Sequence, residues 1–306
     1  MSPVSERLAD RPPTAPGRAE SFARVALTYA VALAVGAAWL LDGPGSGQLW
    51  LDALVADVLA TLVVFASSRL HRNSSLYDAY WSVAPPLLAL WWWSEREPGT
   101  DAGRFALLVV VLVLWAVRLT ANWAWSWPGL VHEDWRYPLL RERAGRLDLV
   151  ADLFAIHVVP TLQVFLALLP VYVVATRPGR DLGVLDAVAF VVGLAAVALE
   201  TAADLQMRRF TATAAPGEVM DRGVWGWSRH PNYLGELGFW VSMALFGLAA
   251  SPGDWWVVVG AVGIWAMLRF ASIPMMEERS LVRRPAYQQV VDRVPRLFPR
   301  PPRRDA

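Results

Sequence analysis

The sequence predicts an all-α fold: a polytopic transmembrane helical bundle of seven to eight spans. Three observations lead there. Hydrophobic residues fill 56% of the 306 positions, charged residues only 18%, and the mean hydropathy is +0.36, whereas an ordinary soluble domain carries about 25% charged residues. Apolar stretches approaching the ~20 residues needed to cross about 30 Å of hydrocarbon recur along the chain. Finally, the 28 lysine-plus-arginine positions are all arginine, and they collect in alternate connections.

Taken in order, residues 1–24 are polar and proline-containing, "MSPVSERLADRPPTAPGRAE" at their start, with no early apolar core. They read as a disordered cytosolic tail, since a signal peptide needs an apolar segment and a small-residue cleavage site. Candidate spans follow at 25–41, 51–68, 78–93, 104–127, 150–173, 184–207, 233–250 and 255–273. The first, third and seventh are short, which makes seven the alternative count. Together they form a transmembrane domain over 25–275, followed by a basic cytosolic segment at 276–306. With eight spans, 22 arginines fall in the N-terminus, 69–77, 128–149, 208–232 and 274–306, against three in the alternate loops, Arg96, Arg177 and Arg180. The positive-inside rule then places both termini and the large basic loops in the cytoplasm. Trp50, Trp91, Trp123, Trp127, Trp225 and Trp255 stand near span ends, where amphipathic rings sit at the headgroup level. The expected location is a bacterial cytoplasmic membrane.

Composition also excludes chemistry. Without lysine there is no Schiff base; without cysteine there are no disulfides, thiolate nucleophiles or thiolate metal sites. A net charge of +1 gives no electrostatic support to a nucleic-acid partner.

Charged groups inside spans are the informative ones, because each costs roughly 2.5–3.5 kcal/mol at mid-bilayer. "ALETAADLQMRRF" puts Glu200, Asp204 and Arg208 at i, i+4 and i+8 on one helix face, either a ladder of ion pairs or a ligand-facing stripe. "SLYDAYWS" carries Tyr77, Asp78 and Tyr80 at a span border. Arg118, with Asn122 four residues on, lies deep enough to demand a counter-ion. His157 and Gln163 read as interhelical hydrogen-bond partners. In the loop "VHEDWRYPLLRERAGR", His132, Glu133 and Asp134 are consecutive and do not converge on one ion. No metal site is expected, and the loop, with Arg136 and Tyr137, is expected to fold back over the mouth of the bundle.

"SRHPNYLGE" is the densest polar stretch. Pro231 suits a first helical turn. Asn232 and Glu236 then share a face, and Gly235 and Gly238 permit close approach of a backbone or a ligand. Arg222, Arg229 and His230 gather at the positive end of that helix, which suits an anion. A phosphate-bearing cofactor held at the cytoplasmic surface fits this pattern.

"GVWGWSRHPNYLGE" and "LRFASIPMMEERSLVRRPAYQQVVDRVPRLFP" resemble the C-terminal half of the steroid 5-alpha-reductase-like membrane family, in particular its uncharacterised, DUF1295-like bacterial branch. The likeness covers about residues 199–299, and "SLYDAYWS" and "HEDWRY" extend it more weakly. It implies a multi-helix reductase that takes hydride from NADPH and delivers it to the β carbon of a carbonyl-conjugated double bond in a lipid. It further implies that Asn232, Tyr233 and Glu236 line the nicotinamide end, that Asp204 and Arg208 touch cofactor, and that Arg269 reaches the nucleotide phosphates or adenine. The steroid enzymes add a glutamate on an early span and a tyrosine on the next. Here Asp78 takes the glutamate's place by span count, with Tyr80, Tyr77 or Tyr137 as the phenol.

The expected activity is thus NADPH-dependent reduction of an enone-type lipid, with Asp78, Tyr80 and Tyr137 as catalytic candidates. Glu200, Asp204, Arg208, Arg222, Arg229, His230, Asn232, Tyr233, Glu236 and Arg269 are the cofactor candidates. Partners are a hydrophobic small molecule or lipid substrate and the membrane lipids. "RHPxY" followed by "EE" also occurs in isoprenylcysteine- and phospholipid-type methyltransferases that use S-adenosylmethionine, and this is the alternative. A non-catalytic lipid-binding protein is the third reading.

Overall fold

The computed structural model describes residues 16–299. Most of the expected N-terminal tail therefore lies outside the described residues, and its last part, from Arg18, is already helical. The end of the basic C-terminal segment also lies outside them. The described residues form helices and no strands: α1 (Arg18–Asp42), α2 (Leu49–His71), α3 (Tyr80–Ser94), α4 (Ala102–Ser126), α5 (Arg136–Ala144), α6 (Val159–Thr176), α7 (Val184–Thr213), α8 (Pro231–Ala250), α9 (Val259–Met267), α10 (Ile273–Arg283) and α11 (Tyr287–Arg293). A 3-10 turn, Ser74–Tyr77, precedes α3, and a π-helical turn, Asp152–Val158, leads into α6.

Seven helical stretches are long and apolar enough to cross a membrane: Arg18–Asp42, Leu49–His71, Ala102–Ser126, Arg136–Thr176, Val184–Thr213, Pro231–Ala250 and Trp255–Arg283. The expected span at 78–93 is not among them. α3 has 15 residues with Pro85 and Pro86 inside it, a rise of roughly 22 Å at 1.5 Å per residue, short of the hydrocarbon thickness. The protein is an all-α, membrane-helical bundle with seven candidate spans among the described residues, and the same-side placement of the termini belongs to the eight-span reading only.

The chain forms two compact units, Met1–Leu88 with Leu119–Phe165, and Ala89–Arg118 with Leu166–Ala306. In the first, α1 and α2 run antiparallel, joined by Thr28 and Ser67 hydroxyls 2.7 Å apart. Their apolar faces, with Val25, Ala32, Ala60 and Val64, enclose Leu76, Tyr77, Tyr80 and Trp127. The π turn widens the backbone, so that Asp152 reaches Arg69 at 2.9 Å and the Ser74 hydroxyl at 2.6 Å while fully buried. His157, also fully buried, sets Nδ1 2.7 Å from the Asp152 carbonyl and Nε2 3.2 Å from the Ser68 hydroxyl. It is an interhelical partner, as expected.

In the second unit, α7 and α8 pack antiparallel and close. Gly193 makes this possible: a Cβ there would stand 2.5 Å from Ser242 Oγ and from Val111 Cγ1. Ser242 itself donates to the Ala189 carbonyl at 2.7 Å. At one end of α4, buried Arg104 forms a forked pair with Asp186, Nε to Oδ1 2.7 Å and Nη2 to Oδ2 3.0 Å. Its remaining donors go to the carbonyls of Arg180 and Asp181 at 2.8 and 3.1 Å.

Candidate functional site

In the first unit the expected catalytic residues separate into two acid–phenol pairs. Tyr137 donates to Asp78 at 2.5 Å. Tyr80 donates elsewhere, to Asp57 on α2, at 3.0 Å. Asp57 and Tyr80 are both buried and line a small cavity with Tyr77, Thr161, Trp81 and Val164. Thr161 links Tyr77 to Thr61, each contact at 2.8 Å, so one wall of the cavity is a run of hydroxyls beside a carboxylate.

Asp57 escaped the sequence reading, although the signal was present: it is an acid eight residues into a 23-residue apolar helix. The cost of charge at that depth marks it as strongly as it marks Arg118.

Asp78 lies in the turn before α3, outside the seven spans. Burial pushes its carboxyl up to about 7, with the Tyr137 hydrogen bond pulling the other way. The neighbouring loop is tied down by side chains rather than free. Asn73 Nδ2 donates to the Leu130 and His132 carbonyls at 2.9 and 3.0 Å. Glu133 accepts from the Ser74 amide at 2.7 Å and from Arg141 at 2.5 Å. Asp134 is held below the ordinary carboxylate range: burial works against ionisation there, and the bonds and charge of Arg136 outweigh it. Among the described residues no group of histidines, cysteines and acids has metal-binding geometry.

In the second unit, a charged cluster forms around Arg118 of α4. Its Nη1 donates to Asp204 at 2.9 Å and its Nη2 lies 3.4 Å from Glu200. This is the counter-ion Arg118 demanded, supplied by the α7 stripe. Arg208, the next member of the stripe, is half-buried and acts electrostatically on Asp204. Glu236 of α8 accepts two indole N–H groups, Trp240 at 2.7 Å and Trp115 at 3.1 Å. Gly235 brings the helices together: a Cβ there would lie 2.9 Å from the Ala196 carbonyl and collide with the Glu200 side chain. The expected room for a ligand at that glycine is filled by helix packing.

Two polar atoms of the cluster lack partners: Glu200 Oε2 and Arg118 Nε are buried without a hydrogen bond. Glu200 is 1% exposed. One is an acceptor and the other a donor. Leaving either unmet inside a protein costs about 1–3 kcal/mol.

The remaining candidates lie elsewhere. Arg229, expected to face an anion, is buried and spends its donors internally, on Glu277 at 2.8 Å and on the Val291 and Val294 carbonyls at 2.8 and 2.7 Å. Glu277 also meets Arg296 at 2.9 Å and His230 at 3.3 Å, so this group clamps the C-terminal segment to the start of α8. His230 stacks on Tyr233, ring centroids 5.5 Å apart. Arg222 is exposed and pairs with Glu218 at 2.6 Å. Asn232 is half-buried in the first turn of α8. Arg269 is exposed, its guanidinium carbon 5.4 Å from the centroid of the Phe270 ring.

An uncharacterized protein of Schizosaccharomyces pombe is 26% identical to the chain over 276 residues, covering 78% of this chain and 76% of its own length. No solved structure matches. A model of a protein family of unknown function matches residues 64–294, a stretch that holds the Asp78–Tyr137 pair, Tyr80 and the whole Arg118 cluster, while Asp57 falls before it. The chain therefore belongs to the DUF1295 family.

Proposed function

We propose that the protein is an NADPH-dependent reductase of a conjugated, carbonyl-bearing lipid, as its resemblance to the steroid 5-alpha-reductase-like family implies. The observation that carries this reading is the buried Tyr80–Asp57 pair on its cavity wall. Hydride addition to the β carbon of an enone pushes electrons onto the carbonyl oxygen, and a phenol in a dry site stabilises that oxygen as it gains charge. For this the Tyr80 O–H turns from Asp57 to the substrate oxygen while Asp57, protonated, donates to the Tyr80 oxygen; the α carbon takes its proton in a following step, with Asp78 as the proposed donor. Methyl transfer has no need of such an acid.

The cofactor supplies the hydride. The residues that suit its carboxamide are the two unsatisfied ones, since a primary amide offers an N–H to Glu200 Oε2 and a carbonyl to Arg118 Nε. Arg208 and Arg209, beyond Asp204 on α7, are the arginines for its phosphates. Trp115, Trp240 and Phe239 are buried beside Glu236 and keep water from that end.

One observation favours a second reading. Glu200, Asp204 and Glu236 outnumber the arginine they surround, and an acid-rich cluster also suits a cationic cofactor such as S-adenosylmethionine.

The test uses purified protein, a total lipid extract and NADPH deuterated at the transferred position. Deuterium is expected to appear in one lipid class. Tyr80→Phe is expected to slow this about 100- to 1,000-fold, the usual loss for one oxyanion donor, at a stability cost of about 1–3 kcal/mol for the buried Asp57 carboxyl that loses its donor, too little to unfold the protein. Label transfer undiminished in Tyr80→Phe removes the proposed acid, and lipid methylation in place of deuteration selects the second reading. Asp78 adds a pH signature. A carboxyl titrating near 7 holds its proton below that pH and loses it above, so turnover that draws on this proton falls as pH rises through about 7. Asp78→Asn is expected to flatten that limb.

A further inference from the structure

Arg269 is the middle residue of the 29-residue span Trp255–Arg283, and it faces outward. Measured from Trp255 at one border, ~20 residues of helix reach the opposite edge of the hydrocarbon. Arg269 therefore lies roughly six residues, about 9 Å, inside that edge. An arginine exposed at this depth needs an anion or must reach for water. Its contact among the described residues is the Phe270 ring, and it makes no ion pair among them. No hydrogen bond or ion pair among the described residues joins it to the Arg118 cluster.

The face that carries Arg269 has a second property. Val258, Val262, Trp265 and Arg269 fall at i, i+4, i+7 and i+11, one side of a helix. The first three line an open groove, with Leu237, Val241 and Ala244 of α8 opposite. The groove is apolar along its whole length and ends one turn short of the guanidinium. Both walls are membrane spans, so what enters from the side is hydrocarbon.

We propose that this groove and Arg269 form a binding site for an anionic phospholipid, with one acyl chain lying along Val258, Val262 and Trp265 and the phosphate on the Arg269 guanidinium. Charge complementarity selects the occupant. A second copy of this chain brings no anion to that depth from the same face, whereas a phospholipid carries its phosphate at the end of the chain that fills the groove. The pairing also removes the cost of the exposed arginine. The site is independent of the reductase reading.

The experiment is native mass spectrometry of the full chain released from nanodiscs of mixed phosphatidylglycerol and phosphatidylcholine, together with thermal unfolding in each pure lipid. The wild type is expected to retain phosphatidylglycerol in preference and to unfold at a higher temperature in it. Arg269→Gln is expected to weaken phosphatidylglycerol retention about fivefold, one arginine's share of the attraction to an anionic headgroup, while phosphatidylcholine retention is unchanged. Val262→Trp, which fills the groove from its lipid-facing wall, is expected to lower retention of both lipids. Equal lipid preference in the wild type and Arg269→Gln overturns the proposal. So does loss of NADPH-induced stabilisation in Arg269→Gln with lipid preference intact, which assigns the arginine to a nucleotide phosphate instead.

Discussion

Helix α4 carries two arginines, Arg104 fully buried and Arg118 partly buried, and they are solved in opposite ways. Arg104 spends its guanidinium on a forked pair with Asp186 and two carbonyls. Arg118 has one good bond to Asp204, a longer contact to Glu200, and a buried Nε that meets nothing, opposite a Glu200 oxygen in the same condition. A closed network fixes structure. An open one, with an unmet donor and an unmet acceptor in one cluster, keeps bonding capacity for something that arrives later. The Arg104 group is a staple between α4 and the start of α7, and the Arg118 group is the cofactor site we propose.

The comparison is broken most directly by removing each arginine in turn. Arg104→Met leaves the Asp186 charge buried and unpaired, a loss expected to cost about 3–5 kcal/mol and to be visible in thermal or denaturant unfolding. Arg118→Met removes one strong bond and one weak one and is expected to cost less, about 1.5–3 kcal/mol. Equal losses would make the second arginine as structural as the first. A finer probe is Trp115→Phe, which keeps the stack on Phe239 and deletes only the indole N–H to Glu236. The expected stability change is about 1 kcal/mol, with a larger effect on ligand affinity, because Glu236 then loses one of its two indole donors and keeps the Trp240 bond.

How much of this was legible in the sequence follows from which forces are local. Seven spans were readable because crossing a bilayer requires an apolar run of fixed length, whatever its neighbours do. The expected span at 78–93 failed because hydropathy reports composition and not depth; Pro85 and Pro86 were the local hint that α3 stops short. Arg118 was readable as a charge in need of a partner. Its partners were not, since Asp204 lies 86 residues away. Arg229 shows the converse. An arginine before a helix start looks the same whether its donors await an anion or are already spent on Glu277, 48 residues on. Asp57 is legible as a lone acid inside an apolar run, but no motif surrounds it to mark it as a site. For Tyr80, chain proximity points to Asp78, where the fold supplies Asp57.

The central claim is that the Arg118 cluster binds a cofactor, and ligand-dependent unfolding of the detergent-purified protein tests it most directly. At about 100 times its dissociation constant a ligand adds roughly 2.7 kcal/mol to stability. NADPH is expected to raise the unfolding temperature of the wild type and of Arg104→Lys, and to leave Arg118→Met unmoved. A shift of equal size in Arg118→Met, or a shift with S-adenosylmethionine and none with NADPH, would contradict the account.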